Sequence, residues 1–391
     1  MKNKKMKILL VTESYWPNAD GGALFERRLV KGLIGKGHEV SVWAPAKNFR
    51  NYIENDDDYS IHREMAVTLP VNKKYKVSLL PAMHTRRIFD QVKPDVIHIH
   101  NPALLGRTAM KYANRHKIPV LATNHLMPEN VLMNIKGSGW YYKWFYQRFW
   151  NYLVKFHNRA QFVTTPTQTA LDFLLKHGLK TPSKAVTNGI DTEVFRPAKK
   201  DLKIAKKYNL STKPTILYLG RVDGEKRIDL IIKAMPSVLK KVDSQLVIAG
   251  FGNAMDELKK LATKLGVSKN IIFTGFIDEE DKPAIYNLSD LFVISSPAEL
   301  QSIVTLEAMA SSKPIIAVDI AALHELVHDN ENGYLFKEDS YLELAENITK
   351  ILTSPKLMKE FGQESMNIIN KSHSTQITFD EYESILEKIS S

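Results

Sequence analysis

Cysteine is absent from all 391 residues. That excludes disulfides, thiol nucleophiles and thiolate metal sites, and it suits a reducing, cytoplasmic setting. Long apolar runs are missing too: no stretch reaches the roughly eighteen residues a membrane-spanning helix needs. The opening MKNKKMKILLVTE has an apolar core of only about five residues, so it reads as a first β-strand and not a signal peptide. No GxGxxG fingerprint opens the first helix, which disfavours a dehydrogenase. Low-complexity tracts and short repeats are also lacking. What remains is the profile of a globular protein, 44% apolar and 25% charged, long enough for two or three domains.

The net charge of +11 is unevenly spread. Residues 1–200 carry 32 Lys/Arg against 15 Asp/Glu, whereas residues 201–391 carry 22 against 28. A basic half beside an acidic half points to a face that meets an anionic surface, either membrane or nucleic acid. No nucleic-acid-binding motif accompanies the charge, so nucleic acid is not an expected partner.

Strand-like runs KILLVTE, EVSVWAP, DVIHIH, PVLATNH and QFVTTP alternate with amphipathic stretches in the first half. Before EVSVWAP, Leu24/Phe25, Leu29 and Leu33 recur at helical spacing, and Gly35 and Gly37 punctuate the end. A second series, TILYLG, QLVIAG, IIFTG, LFVISS, PIIAV and GYLF, follows a polar break at Pro197 to Lys200. Such alternation predicts parallel sheets with helices on both faces. The expected architecture is α/β, two Rossmann-like doubly wound domains facing a cleft, over residues 1–197 and 198–372. The tail from about Tyr341 reads as helical, and its last helix, about 373–391, is expected to pack back on the first domain.

The richest chemistry lies in LFVISSPAELQSIVTLEAMASSKPIIAV. An apolar strand from Leu291 to Ser295 breaks at Pro297, and a helical run begins near Ser302. Open α/β sheets bind ligands beyond the carboxyl ends of their strands. Glu299 in the turn and Glu307 in the first helical turns would both face that crevice, as acceptors for sugar hydroxyls. They are equally acids that favour a helix N-terminus, and residue type alone leaves both readings open. Arg221 and Lys226, after TILYLG, supply a forked donor and a point charge that would neutralise a diphosphate. Glu225 makes a local ion pair the alternative.

Gly21 and Gly22 open a helix after the first strand, where backbone N–H groups approach a phosphate; an ordinary turn is the other reading. Gly250-Phe251-Gly252 is a turn of the same type, and Gly275-Phe276-Ile277 ends the next strand, where backbone groups would meet a base. His125 follows PVLATN and would donate into the cleft. His98 and His100 share one strand face, a zinc-pair spacing for which the sequence shows no third ligand.

In this order the motifs form a set. The chain resembles a retaining glycosyltransferase of family 4, with the two-domain GT-B architecture. The likeness runs from Gly21-Gly22 and Gly37-His38-Glu39-Val40 through Asn188-Gly189-Ile190-Asp191 and Phe195-Arg196-Pro197. It continues with Gly220-Arg221, Glu225-Lys226 and Glu299-x7-Glu307-Ala308-Met309-Ala310. The resemblance implies that Glu299 binds hydroxyls of the donor sugar and Glu307 its ribose. Arg221 and Lys226 would stabilise the departing diphosphate, electrostatic catalysis with no metal or other cofactor. Gly22 would approach that diphosphate, and His125 would contact the transferred sugar near its anomeric carbon. Gly21, Gly252, Phe276, Ile277, Leu300, Gln301, Ser302 and Ile303 would complete the donor-binding set.

Three departures from the family pattern stand out. Arg227 replaces a usual Gly or Asn, Asn253 replaces a proline, and Leu300-Gln301 replace a glycine and an aromatic. The last bears on the donor sugar, for which UDP-glucose is the expectation on family frequency. A sugar-nucleotide epimerase, which needs no acceptor, is the rival enzyme class.

The segment WYYKWFYQRFWNYLVKFHNR, residues 140–159, bears on the acceptor. As a helix it gathers aromatics on one side and basic residues on the other, a pattern that lies in membrane interfaces. Residues 101–200 hold 15 basic against 4 acidic residues. Trp140, Lys143, Trp144, Arg148, Trp150 and Lys155 are therefore candidate membrane or acceptor contacts; the alternative is a core helix with solvated cations. The expectation is a lipid acceptor such as diacylglycerol at an anionic membrane surface, with the enzyme peripheral on the inner face of the cell membrane. A small soluble or polysaccharide acceptor is the alternative.

Overall fold

The computed structural model describes residues 5–17, 21–56, 58–68, 76–126, 140–297 and 299–391. Two compact units emerge: Met1–Asn188 with Gln376–Ser391, and Gly189–Thr375. The change of unit falls ahead of the polar break at Pro197. Asn287 explains the shift, because its side chain accepts from the Ala198 amide and donates to the Arg196 carbonyl, at 2.9 and 3.0 Å. Phe195 also packs edge-on against Tyr286, tying this stretch to the second unit.

In the first unit the strands are β1 (Lys7–Val11), β2 (Glu39–Pro45), β3 (Tyr52–Asp56), β4 (Tyr59–Glu64), the short pair β5 (Ala66–Thr68) and β6 (Lys76–Ser78), β7 (Val96–Ile99), β8 (Val120–Thr123), β9 (Phe162–Thr165) and β10 (Ser183–Ala185). Eight of them form one sheet in the order β10-β9-β8-β7-β1-β2-β4-β3. All its pairings are parallel except the antiparallel edge β3–β4. The inner strands β1, β7, β8 and β9 are apolar almost throughout because helices cover both faces. Strand order reverses between β1 and β7, so the loops leaving these two strands flank a crevice.

The segment 52–78 was not expected as strand, since Tyr59–Glu64 reads YSIHRE. Strand β4 is buried all the same, because its polar groups are matched. Arg63 donates to Glu54 at 2.9 Å, and Glu64 accepts from His84 at 2.9 Å.

The Thr375–Ser390 helix completes this unit, with Tyr382, Ile385 and Leu386 in the core around β1 and β2. His38 Nδ1 accepts from the Met6 amide, so its Nε2–H donates to Glu383 at 3.0 Å. Lys36 reaches the same carboxylate at 2.8 Å.

The second unit contains β11 (Thr215–Leu219), β12 (Gln245–Ala249), β13 (Ile271–Gly275), β14 (Leu291–Ile294), β15 (Ile315–Val318) and β16 (Gly333–Phe336). They form a wholly parallel sheet in the order β13-β12-β11-β14-β15-β16. The reversal lies between β11 and β14. Behind β12 the chain runs very close to the loop leaving β11. A Cβ on Gly250 would lie 1.8 Å from the Gly220 carbonyl oxygen, and one on Gly252 would lie 2.2 Å from that of Val222.

Gly252 thus has a packing reason to be glycine. Gly252→Ala is expected to destabilise the second unit by about 3 kcal/mol, the upper range for a single backbone clash. Thermal unfolding of the variant checks this, and an unchanged midpoint would show that the loops simply move apart.

Candidate functional site

At the reversal in the second unit, the loops after β11 and β14 place charged side chains against one another. The 3-10 turn Gly224–Lys226 carries Lys226, whose Nζ lies 2.7 Å from Glu299 Oε1 and 3.3 Å from Ser296 Oγ. Ser295 Oγ donates to the Lys226 carbonyl at 2.9 Å, fixing the backbone of that turn to the end of β14. Both charged side chains are largely shielded, so the pair is neither a solvated surface contact nor a sealed core bridge. The lysine ammonium has a third proton to give.

Arg221 is more exposed. Its guanidinium is spread between Asp223 at 2.6 Å and Glu225 at 2.7 Å, the local pairing that Glu225 made available. Asp223 also accepts from the Asn253 amide, so this carboxylate joins both glycine-rich loops.

Ser302 caps the Ile303–Ala310 helix, accepting from the Thr305 amide. Glu307 is buried in this helix and accepts from the Tyr286 hydroxyl at 2.8 Å. Burial first, and then the Glu307 carboxylate, push the Tyr286 phenol far above its usual range, which keeps it a donor. Gln301 is buried, and Leu300 and Ile303 are half-buried. Phe276 is exposed after β13 while Ile277 turns into the core.

The reversal in the first unit carries a different chemistry. Gly21 and Gly22 begin the Gly21–Gly35 helix; the rest of the loop before them, residues 18–20, lies outside the described residues. Phe25 and Glu26 follow on this helix. Thr12, just past β1, has its hydroxyl 3.0 Å from Glu26 Oε1. His100 follows β7 and is wholly buried; His125 follows β8 and is half-buried. Their facing nitrogens, His100 Nδ1 and His125 Nε2, are 3.1 Å apart, and Glu26 Oε1 is 3.6 Å from the same His100 nitrogen. His98 is hydrogen-bonded to Thr123 at 2.7 Å.

One donor atom each from Glu26, His100 and His125 lies within 4.8 Å of the others, a spacing compatible with a divalent ion. The sequence pairing of His98 with His100 lacked this carboxylate, which comes from a helix far along the chain. Burial drives His125 down to about 4, and burial and then the neighbouring His125 drive His98 down to about 3. All these rings are neutral near pH 7.

Comparison with known proteins shows the family and the fold. Residues 19–194 match the family described as Glycosyltransferase Family 4, and residues 200–367 match Glycosyl transferases group 1. An alpha-monoglucosyldiacylglycerol synthase of Streptococcus pneumoniae is 30% identical, over 85% of this chain and 75% of its own. The chain belongs to glycosyltransferase family 4. A second member, the GDP-mannose-dependent alpha-(1-6)-phosphatidylinositol monomannoside mannosyltransferase of Mycobacterium tuberculosis, is 33% identical over 88% of this chain and 89% of its own. Among solved structures, HepE of Anabaena in complex with UDP superposes with a TM-score of 0.77 at 18% identity, covering 98% of this chain and 100% of that one. The fold is that of GT-B glycosyltransferases.

In this family 4 glycosyltransferase the aromatic segment forms the Trp140–His157 helix, which contains no Asp or Glu. Its two ends differ. Trp150 is 0% exposed and stacked on His177 at 4.1 Å, so its expected membrane or acceptor contact is corrected: it is a core residue. Leu153, Val154 and Phe156 are buried with it. Toward the N-terminal end, Tyr141, Trp144 and Phe145 are 64%, 48% and 37% exposed. Arg148 lies over the Trp144 ring at 4.9 Å, and Lys143 and Lys155 are exposed. The Trp140 side chain lies outside the described residues. No helix among the described residues is long and apolar enough to cross a membrane.

Sequence reasoning missed Ser295, Ser296 and Tyr286, which hold Lys226 and Glu307. The doubled serine at a strand end was the available signal for the first two; Tyr286 gave none, because its partner lies 21 residues away.

The buried imidazoles also set a pH dependence. In the unfolded chain they titrate near 6.5, whereas in the native first unit burial holds His98, His125 and His157 near 3, 4 and 4 and lowers His100 and His62. Below about pH 6.5 the unfolded chain therefore binds protons that the native one does not, and stability falls as pH falls, by about 1.4 kcal/mol per unit for each of His98, His125 and His157. Glu13, raised to about 7 by burial, and Glu64, raised by burial, act in the opposite sense. Five histidines outweigh two carboxyls. Calorimetry should show the first unit melting at progressively lower temperature from pH 7 to pH 5; a flat profile would contradict the buried neutral state.

Proposed function

We propose that this glycosyltransferase moves a hexose, with retention of configuration and without a metal ion, from a nucleotide-diphosphate sugar to a hydroxyl of a membrane lipid. UDP-glucose is the proposed donor and a diacylglycerol-type lipid the proposed acceptor. The observation that carries the reading is the Lys226–Glu299 pair at the strand-order reversal of the second unit. A diphosphate entering there draws on the ammonium, and the carboxylate it shares turns to sugar hydroxyls. Charge that builds on the departing phosphate is met by Lys226 and Arg221 without reorganisation of solvent. Glu307, held by Tyr286, accepts from the ribose. His125 donates to a hydroxyl of the transferred sugar. The UDP complex of HepE supports the nucleotide, and the names of the two family members support a lipid acceptor.

Exposed Tyr141, Trp144 and Phe145 beside Arg148 and Lys143 suit the interface of an anionic leaflet, where each cation near the surface adds about 1 kcal/mol. The enzyme then works as a peripheral protein on the cytoplasmic face.

Lys226→Ala and Glu299→Ala are each expected to lower kcat at least about 100-fold, the scale of a lost transition-state contact. Products are read by mass after incubation with UDP-, GDP- and ADP-sugars and a membrane lipid extract. Near wild-type turnover in either variant would refute the role assigned, and sugar interconversion without acceptor would favour an epimerase.

Membrane contact is tested separately by flotation with anionic liposomes at low salt. Trp144→Ala with Arg148→Ala should abolish flotation, while unchanged flotation would move the contact elsewhere.

A further inference from the structure

We propose that Glu26 and His100 are positioning residues that lock His125 in one tautomer, with its proton on Nδ1, so that it presents a hydrogen-bond donor. The inference deepens the glycosyltransfer reading and rests on it only for the identity of the ligand, a sugar hydroxyl.

A neutral imidazole carries one N–H, and the surroundings decide where. His100 Nε2 is buried and has no hydrogen-bond partner among the described residues, whereas Nδ1 faces His125 Nε2 at 3.1 Å and the Glu26 carboxylate oxygen at 3.6 Å. A proton on Nε2 would be an orphaned buried N–H, a rarer and costlier state than an idle acceptor. It would also aim the Nδ1 lone pair at a carboxylate. The proton of His100 therefore resides on Nδ1 and is donated to His125 Nε2.

Ring geometry agrees. The two imidazole planes are within 6° of parallel, and their centroids are 5.3 Å apart. That separation exceeds the nitrogen–nitrogen distance by about two ring radii, so the rings meet edge to edge in one plane and are not stacked face to face. Phe25 braces both, edge-on, at 6.0 and 5.7 Å. With Nε2 committed as acceptor, the single proton of neutral His125 sits on Nδ1. His125 then donates to an oxygen and does not act as a base through that nitrogen.

The same three groups have the spacing of a metal site, but a metal-bound imidazole ordinarily donates its other N–H to an outer partner. His100 Nε2 has none among the described residues, and the hydrogen-bonded arrangement accounts for the geometry without an ion.

The test is a long-range proton–nitrogen correlation spectrum of the full chain labelled with [15N]histidine, with His125 assigned through His125→Gln. The expected pattern is Nδ1–H for wild-type His125 at pH 7, with no substrate present. His100→Leu should release the lock and yield the Nε2–H form or a mixture. His100→Asn, whose amide nitrogen falls near the Nδ1 position, should restore the wild-type pattern. Glu26→Gln keeps the volume and should give a partial mixture, which covers the case that His100→Leu fails to fold. In turnover assays His100→Leu should lower kcat about 10- to 100-fold, the scale for losing a group that orients a functional histidine, with recovery in His100→Asn. Nε2–H on wild-type His125, or stoichiometric metal on these nitrogens, would overturn the proposal. An unaltered spectrum with absent glycosyl transfer would instead leave the lock intact and refute the reaction.

Discussion

The reversal of strand order between β11 and β14 decides where the second unit can do chemistry. Crossovers leaving β11 run toward β12, and those leaving β14 run toward β15, so the gap between the two strand ends is left uncovered. One loop brings Lys226 to that gap and the other brings Glu299, and the 2.7 Å contact joins them. The first unit repeats the constraint between β1 and β7. Thr12 leaves one strand and His100 the other, and Asn101 Nδ2 bonds the Thr12 hydroxyl at 3.1 Å across the reversal. One topological rule therefore yields a charged site in one unit and a neutral imidazole site in the other.

The difference between these sites is a difference in burial. Lys226 and Glu299 keep some contact with water and lie 2.7 Å apart. His98 and His100 have none, so the cheaper course is to stay neutral. A neutral ring needs a defined tautomer, and only neighbours can define it. That is why the first unit places a buried carboxylate, three threonines and an aromatic brace around three imidazoles. The same logic holds at the Thr375–Ser390 helix, where the Met6 amide fixes the tautomer of His38 and so directs its other nitrogen to Glu383.

Much of this was legible in the residues. Every apolar strand from KILLV to GYLF appears where the alternation placed it, because buried parallel strands leave little choice of composition. The order of Arg221, Lys226, Glu299 and Glu307 also identified the family. Two kinds of feature were hidden. Strand β4 is buried although its sequence is polar, since Glu54 and His84 supply partners from other elements. Glu26 and His100 lie 74 residues apart, and nothing local to either announces the other. Trp150 shows the opposite failure. Helical projection sorts residues by face, and it put Trp150 with the aromatics correctly, but it cannot tell a face that meets the sheet from one that meets solvent.

That last ambiguity resolves along the helix and not around it. The C-terminal part of Trp140–His157 is sealed by Trp150, Leu153, Val154 and Phe156, so the helix is rigidly anchored at that end. The exposed rings of Tyr141, Trp144 and Phe145 sit at positions i, i+3 and i+4, on one face of the other end. Together they leave a partly exposed aromatic surface on one turn, Tyr141 stacked on Trp144 and Phe145 on Phe149. The cation of Arg148 over Trp144 covers one of them only partly. Under the proposed lipid acceptor, that end of the helix supplies an anchored, positively charged aromatic edge for a lipid interface.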